Sequence, residues 1–283
     1  MGYKFRKRVR GRIVSYILLF AFLLFLLFPI YWMIITSLKQ NKELYNFEMN
    51  PLLVTQGITL RHYSYLFERT NFMVWMRNSI IICLTVIVFT IVVSSLAAYS
   101  LSRLRFKGRW TMALAVFAAY LVPPTLLFIP LYRIVVLLDL PDTILGLIVT
   151  YPSFTVPFST WLLIGYFRNI PSSLEESALV DGATRLQVLW RIVLPVALPG
   201  VATVTIFSFT LSWAQFLFPS AFISSSIKKP LAVGVVSELI RGDIFHWGSL
   251  MAGASLGIIP VLLIYVFFSR FFIRGIMAGS LKG

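Results

Sequence analysis

Glu175, Glu176 and Asp181, followed by Arg185 and Arg191, gather charge into one short stretch of a chain in which only 12% of residues are Asp, Glu, Lys or Arg. The stretch, PSSLEESALVDGATRLQVLWRIVLP from Pro171 to Pro195, is a long polar interruption of an otherwise apolar sequence. Covalent chemistry is not what these residues offer. The chain has no G-x-x-x-x-G-K-S/T phosphate loop, no H-E-x-x-H, no G-x-S-x-G and no C-x-x-C, and Cys83 is its single cysteine. What they offer is a rigid, charged surface for a partner. Ser172 with Glu175 three residues on has the spacing of a capping box, and so does Thr184 with Gln187. Asp181-Gly182 between them supplies a turn, because glycine takes positive φ without steric cost. Leu186, Leu189, Trp190, Val193 and Leu194 then recur as one helical stripe, with Arg185, Gln187 and Arg191 off it. The expectation is two capped helices meeting at a glycine turn, built to receive a push from a soluble protein.

A second polar set lies in an apolar run. Thr205, Ser208, Ser212 and Gln215 fall at i, i+3, i+7 and i+10, with Trp213 beside them. Hydroxyls on a membrane helix either bond back to their own helix or a neighbour, or line a polar passage, and both readings stand. His62 and His246 lie in separate loops without metal-ligand spacing and are expected to be solvated at the surface.

The elements that must position these residues are membrane spans. Apolar residues make up 59% of 283 positions, far from the composition of a soluble domain. Six apolar runs, about 13–38, 78–101, 110–132, 143–166, 195–218 and 248–269, are long enough to cross a hydrocarbon core as helix, and none carries Asp, Glu, Lys or Arg. The fold expected is an all-α integral membrane protein, one transmembrane domain over 1–283 with six transmembrane helices. With both termini in the cytoplasm, 16 of the 25 Lys and Arg residues lie on that side, as insertion topology requires. The formal charge of +15 is thereby explained without nucleic acid. The segment 171–195 falls between spans four and five, in the cytoplasm. The basic start precedes a run too long for a signal peptide, so the first span is retained. Pro123, Pro124 and Pro130 in the third span, and Pro152 and Pro157 in the fourth, break or bend those helices; they read as a gate or as structural kinks. A helix is expected around Leu60–Arg69 in the long external loop 39–77. Because the spans hold no ionisable residue, work against a gradient needs energy from outside the chain.

Glu176-Ser177-Ala178, three residues, Gly182, nine residues, Ile192, one residue, then Leu194-Pro195 resembles the EAA motif of permease subunits in bacterial and archaeal ABC importers, with Ser177 in place of the usual first Ala. The resemblance covers nearly the whole chain. AAYSLSRLRFKGR, the stretch from Pro130 to Pro171 and the ending FFIRGIMAGSLKG are similar to the carbohydrate-uptake branch, on the side of the maltose-type six-span permease subunit. That branch usually shows Trp-Asn-Glu-Phe in the fifth span, where this chain has Trp213-Ala214-Gln215-Phe216. The resemblance implies a non-catalytic subunit of a multi-pass cell inner membrane transporter, surrounded by lipid. It implies a second homologous permease subunit, two ABC ATPase subunits and an extracytoplasmic solute-binding protein that delivers a sugar, a di- or oligosaccharide. No cofactor is implied on this chain, and ATP and Mg belong to the ATPases. Glu175, Glu176, Ser177, Ala178, Asp181, Gly182, Arg185, Ile192, Leu194 and Pro195 are then the coupling residues. Thr205, Ser208, Ser212, Trp213 and Gln215 are candidates for the substrate pathway, and Gly279 and Lys282 for a tail contact to the ATPases. The alternatives are a permease for another solute, such as a glycerol phosphate, and an ion-coupled secondary transporter, against which the uncharged spans and the lack of repeat symmetry argue.

Overall fold

Long apolar runs become helices because a helix satisfies every backbone N–H and C=O within itself, which hydrocarbon cannot do. The computed structural model describes residues 2–46, 48–241 and 244–280, with side chains described for 12–46, 48–240 and 245–271. In chain order the first helices are α1 (Gly2–Leu38), α2 (Asn41–Leu44), α3 (Arg61–Arg69), α4 (Phe72–Arg103), α5 (Arg109–Tyr120), α6 (Phe128–Leu137), α7 (Ile144–Thr150) and α8 (Pro152–Arg168). The polar stretch forms α9 (Ser172–Val180), α10 (Arg185–Val188), a wide π turn over Leu189–Val193 and α11 (Leu194–Val196). After it come α12 (Leu198–Trp213), α13 (Leu217–Phe222) and α14 (Leu231–Leu239), then a two-residue antiparallel ribbon of β1 (Ile240–Arg241) with β2 (Ile244–Phe245), and finally α15 (Trp247–Ser280).

Four helical stretches among the described residues are long and apolar enough to cross a membrane: Arg12–Leu38, Phe72–Arg103, Ile144–Arg168 and Trp247–Phe271. They match the first, second, fourth and sixth expected spans. The other two differ from expectation. The run 110–132 is not one helix: Pro123 and Pro124 carry no N–H, so α5 stops at Tyr120 and α6 begins only at Phe128. The run 195–218 is shorter than expected, because the helix leaves the preceding pair at an 83° bend and ends at Trp213. Pro195 and Pro199 explain the bend, since Pro199 has no N–H to give the Pro195 carbonyl.

The described residues fall into two compact units, one of 1–72 with 235–258 and one of 73–234 with 259–283. In the first, α3 packs Leu66 and His62 inward. His62 is therefore buried rather than solvated: its Nε2 stands 2.9 Å from the Lys39 carbonyl oxygen and its Nδ1 3.4 Å from Ser249 Oγ. A buried ion pair, Lys39 Nζ to Glu43 Oε1 at 3.4 Å, pins the loop that follows α2. Lys39 donates to the carbonyls of Asn50 and Pro51, and the Thr55 backbone N–H donates to Glu43 at 2.9 Å. His246 lies against the Tyr65 ring.

The second unit holds the core that positions the polar stretch. Leu163, Ile164 and Phe167 of α8 meet Ala98 and Tyr99 of α4, Val188, Leu189 and Val193 of the polar stretch, and Val204 of α12. Helices cross closely where small or hydroxylated residues allow it: Thr90 bonds Thr155 at 2.7 Å, and Gly200 lies so close to the Tyr166 ring that a Cβ would stand 2.7 Å from it. Ahead of α7, Asp142 accepts from the backbone of Ser224 and Ser225, from the Ser225 hydroxyl and from Lys228. The Ser225 hydrogen bonds come first among the causes that hold the Asp142 carboxyl far below the usual carboxylate range. Trp75 and Asn78 of α4 bond the carbonyls of Ser226, Ile227 and Lys229, fixing the same loop from the other side.

Burial pushes His62 below its ordinary value, and for Glu43 burial is outweighed by bonds from Thr55 and Gln56 and by Lys39, which hold its carboxyl low. In both cases the unfolded segment binds more protons than the folded one, so stability falls as pH falls, first below the ordinary imidazole range and then below the ordinary carboxylate range. Hydrogen exchange over 39–66, corrected for intrinsic rate, is expected to speed up between pH 7 and pH 5. Equal protection at both pH values would contradict the buried, neutral His62.

Candidate functional site

The polar stretch is anchored at its root by α4. Arg103 ends that helix and sends Nη2 to the carbonyls of Phe167 and Ile170, both at 2.6 Å, so that its charge sits on the C-terminus of α8. Its Nε approaches Glu175 Oε1 at 2.6 Å, as an ion pair rather than an aligned hydrogen bond, and the Tyr99 hydroxyl donates to Glu175 Oε2 at 3.1 Å. Glu175 lies in the first turn of α9, where a negative charge meets the positive end of the helix. The capping box expected of Ser172 with Glu175 is therefore not formed. Pro171 takes the cap position without a side-chain bond, and Glu175 is drawn inward because a guanidinium waits there. Arg103, read from sequence only as part of a basic loop, is the anchor of this stretch that sequence reasoning missed; its place as the last residue of a long apolar helix was the available signal.

The turn closes as the sequence predicts. Gly182 has φ +86°, its N–H donates to Leu179 O at 3.1 Å, and the Ala183 N–H reaches back to Ala178 O at 2.9 Å. These are the paired bonds of a glycine-terminated helix. A Cβ at Gly182 would meet nothing within 4 Å, so the need for glycine comes from the backbone alone. Beyond it the second capping box is present in full: the Gln187 N–H donates to Thr184 Oγ1 at 3.3 Å and the Thr184 N–H to Gln187 Oε1 at 2.8 Å. Arg185 opens α10 and is exposed.

The apolar stripe is shifted from its expected phase. Leu189, Val193 and Leu194 are buried, but Val188 replaces Leu186 in the core, and Leu186 and Trp190 stay exposed. The cause is the π turn: the Leu194 N–H bonds Leu189 O, five residues back, ahead of a proline that offers no N–H. Widening one turn re-phases the helix so that Pro195 can be accommodated. The outward face of this hook carries Glu176, Ser177, Asp181 and Gly182, with the apolar Leu174, Val180 and Leu186 between them; Val180 is 87% exposed. Ala178 and Ile192 are half-buried, Leu194 is buried and Pro195 exposed.

The hydroxyls of the second candidate set are not brought to a surface, while Trp213 and Gln215 are half-buried. Ser208 is fully buried, Thr205 and Ser212 nearly so, and Thr205 Oγ1 bonds its own helix at Val201 O. These three face the interior of this chain, where Ser208 Oγ and Ser212 Oγ have no hydrogen-bond partner among the described residues. Gln215 lies beyond the end of α12, off the helical face assigned to it, and Trp213 stacks on Phe209 at 5.2 Å. Gly279 falls within α15, and Lys282 lies outside the described residues. Among the described residues no group of three His, Cys, Asp or Glu is placed to hold a metal.

Removing one partner of the Arg103–Glu175 pair leaves the other charged and buried, which costs about 3–5 kcal/mol. Glu175→Ala is therefore expected to lower the thermal unfolding midpoint of the purified protein sharply, whereas Glu176→Gln, on the exposed face, is expected to leave it nearly unchanged. Equal midpoints for both variants would show that the pair does not anchor the hook.

Comparison with known proteins places this geometry. Residues 90–278 match the family of binding-protein-dependent transport system inner membrane components. The chain is 37% identical to the inner membrane ABC transporter permease protein YcjP of Escherichia coli (strain K12), over 98% of this chain and 99% of that one. It is 31% identical to the trehalose/maltose transport system permease protein MalG of Thermococcus litoralis, over 98% and 99% of the two chains. A chain of a bacterial ABC transporter involved in the import of the acidic polysaccharide alginate has the same fold, with a TM-score of 0.80 at 24% identity over 94% of this chain and 98% of that one. A hook with the spacing of the EAA motif, set on apolar helices and matched along nearly the full length of these relatives, identifies the chain as a member of the binding-protein-dependent transport system inner membrane components, the permease subunits of ABC transporters.

Proposed function

We propose that this chain and a second permease form the pathway by which an ABC importer takes up a di- or oligosaccharide, and that the hook between α8 and α12 is where one of two partner ATPases delivers its work, the other acting on the second permease. The observation that carries the reading is the outward face of α9 and its turn. Val180, Leu174 and Leu186 are exposed apolar side chains set among Glu176 and Asp181, on a segment whose root is fixed by a buried ion pair. An apolar knob with charged neighbours suits a groove on a soluble partner. Sugar as cargo is supported by relatives: besides the trehalose/maltose permease, a diacetylchitobiose uptake permease of Streptomyces coelicolor is 29% identical and an arabinooligosaccharides permease of Halalkalibacterium halodurans 29% identical.

In this reading six spans cross the membrane, the third broken at its prolines and the fifth entered through the bend, with both termini and the hook in the cytoplasm. The asymmetry of Lys and Arg favours that sidedness. An external binding protein hands over the sugar. ATP closes the ATPase pair, the hooks are carried together, and the spans move from inward-open to outward-open. Rigidity is what makes the hook a lever: α9 ends in paired backbone bonds, α10 begins in a reciprocal cap, and Arg103 ties α9 to α4 and α8. Gly279 and Lys282 of the carboxyl-terminal tail are proposed as a further contact to the ATPases. ATP and Mg are bound by those subunits.

Glu176→Lys reverses charge on the docking face, and Gly182→Pro removes both the positive φ and the N–H that bonds Leu179 O. In the reconstituted transporter each is expected to lower sugar uptake by about tenfold or more while this chain remains inserted, the size of losing a central docking contact. Uptake at the unmutated rate, with ATPases still bound, would contradict the lever. Purified alone, this chain is expected to hydrolyse no ATP.

A further inference from the structure

We propose that a half-exposed aromatic face on α5, α8 and α12, centred on Tyr120, Phe158 and Phe207, is the surface on this subunit over which the sugar rings pass. This rests on the reading of the cargo given above. It replaces the buried hydroxyls Thr205, Ser208 and Ser212 as the pathway contact. The rings form a continuous series: Trp161 to Phe117 at 4.6 Å, Phe117 to Tyr120 at 6.4 Å, Tyr120 to Phe158 at 5.1 Å and Phe158 to Phe207 at 4.0 Å between centroids. Tyr120 and Phe207 also border a partly open cavity of about 240 Å³, lined as well by Pro123, Pro124, Phe154 and Leu211.

Lipid is a poor occupant for this face. Pro123 and Pro124 deprive the Ala119 and Tyr120 carbonyls of the N–H groups that a continuing helix would supply. Val122 turns its N–H to Ala119 O at 3.4 Å, and the Tyr120 carbonyl is left without a backbone donor. The Tyr120 hydroxyl, on a side chain 38% exposed, makes no hydrogen bond among the described residues. An open acceptor and an open phenol beside one cavity are costly against hydrocarbon and are tolerated where protein or water covers them. Flat apolar rings edged by a few unpaired polar groups are the lining of a small-molecule site. A pyranose matches both parts, with C–H faces that lie on aromatic rings and a rim of hydroxyls that can reach the Tyr120 carbonyl and phenol. A tilted series of rings, with no deep pocket, favours passage over tight retention.

The test uses the complete transporter in proteoliposomes, with its partner permease, ATPases and binding protein, and a panel of radiolabelled trehalose, maltose, arabinotriose and diacetylchitobiose. Tyr120→Cys and Phe207→Cys are probed with a hydrophilic, membrane-impermeant thiol reagent; the native Cys83 is buried. Labelling at both positions, slowed by the transported sugar, is expected. Tyr120→Leu and Phe207→Leu are expected to lower kcat/KM for that sugar about tenfold, the scale of one lost aromatic contact, with ATPase activity stimulated by the empty binding protein unchanged. Tyr120→Phe separates hydroxyl from ring and is expected to lose less. Should the leucine variants lose the ATPase signal through misassembly, cysteine labelling with sugar protection decides. Absence of labelling would mean lipid or the partner permease covers the face and would overturn the proposal, as would labelling with sugar uptake unchanged in the leucine variants. An unmutated complex that imports none of the panel would overturn the assignment of cargo as well, and is told apart because no substitution is involved.

Discussion

A guanidinium buried where three helices end is the constraint on which the rest of this structure depends. Arg103 closes α4, neutralises the carbonyl end of α8 and pairs with Glu175 at the opening of α9. Its side chain is 13% exposed and that of Glu175 5%, so neither charge can turn to water for relief. Such a pair adds little net stability compared with apolar residues of the same shape, but it fixes geometry, because a slip of either partner leaves a buried charge uncompensated. For a segment meant to transmit displacement, fixed geometry is the property that matters. The apolar cluster of α8, α4, α12 and the π turn supplies the cohesion, and the ion pair supplies the register.

Around that anchor the unit uses two opposite strategies for backbone. At the hook the turn between the helices is closed on both sides: paired bonds at Gly182 and a reciprocal box at Thr184, with a wide turn ahead of Pro195. Near Pro123 and Pro124 the ends are left open, with one carbonyl lacking a backbone donor. Satisfied ends make a stiff element, and unsatisfied ones at membrane depth mark a place where something polar is accommodated. The division fits a subunit that takes in force at one end and offers a wettable wall in the middle.

Much of this was legible in the sequence. Four spans, the helix at Arg61–Arg69, the Gly182 turn and the Thr184 box all follow from periodicity and local turn chemistry, which act over a few residues and need no knowledge of tertiary neighbours. What was not legible depended on such neighbours. Glu175 has the spacing of a cap, and only the arrival of Arg103 from 72 positions upstream turns it inward. The hydroxyl strip of α12 reads equally as passage or packing, and its burial depends on tertiary neighbours that periodicity does not reveal. His62 sits in a polar loop by composition and is buried by α15. The stripe from Leu186 to Leu194 assumed regular turns, and one proline was enough to change the phase.

That change of phase has a further consequence. Were the wide turn over Leu189–Val193 to tighten to ordinary α pitch with its residues unchanged, everything before it would swing by about 100° around the helix axis. The knob bearing Val180 would then point away from any subunit positioned to grip it, although no side chain in the knob had altered. The width of this turn, which the proline after it favours, is itself a determinant of aim.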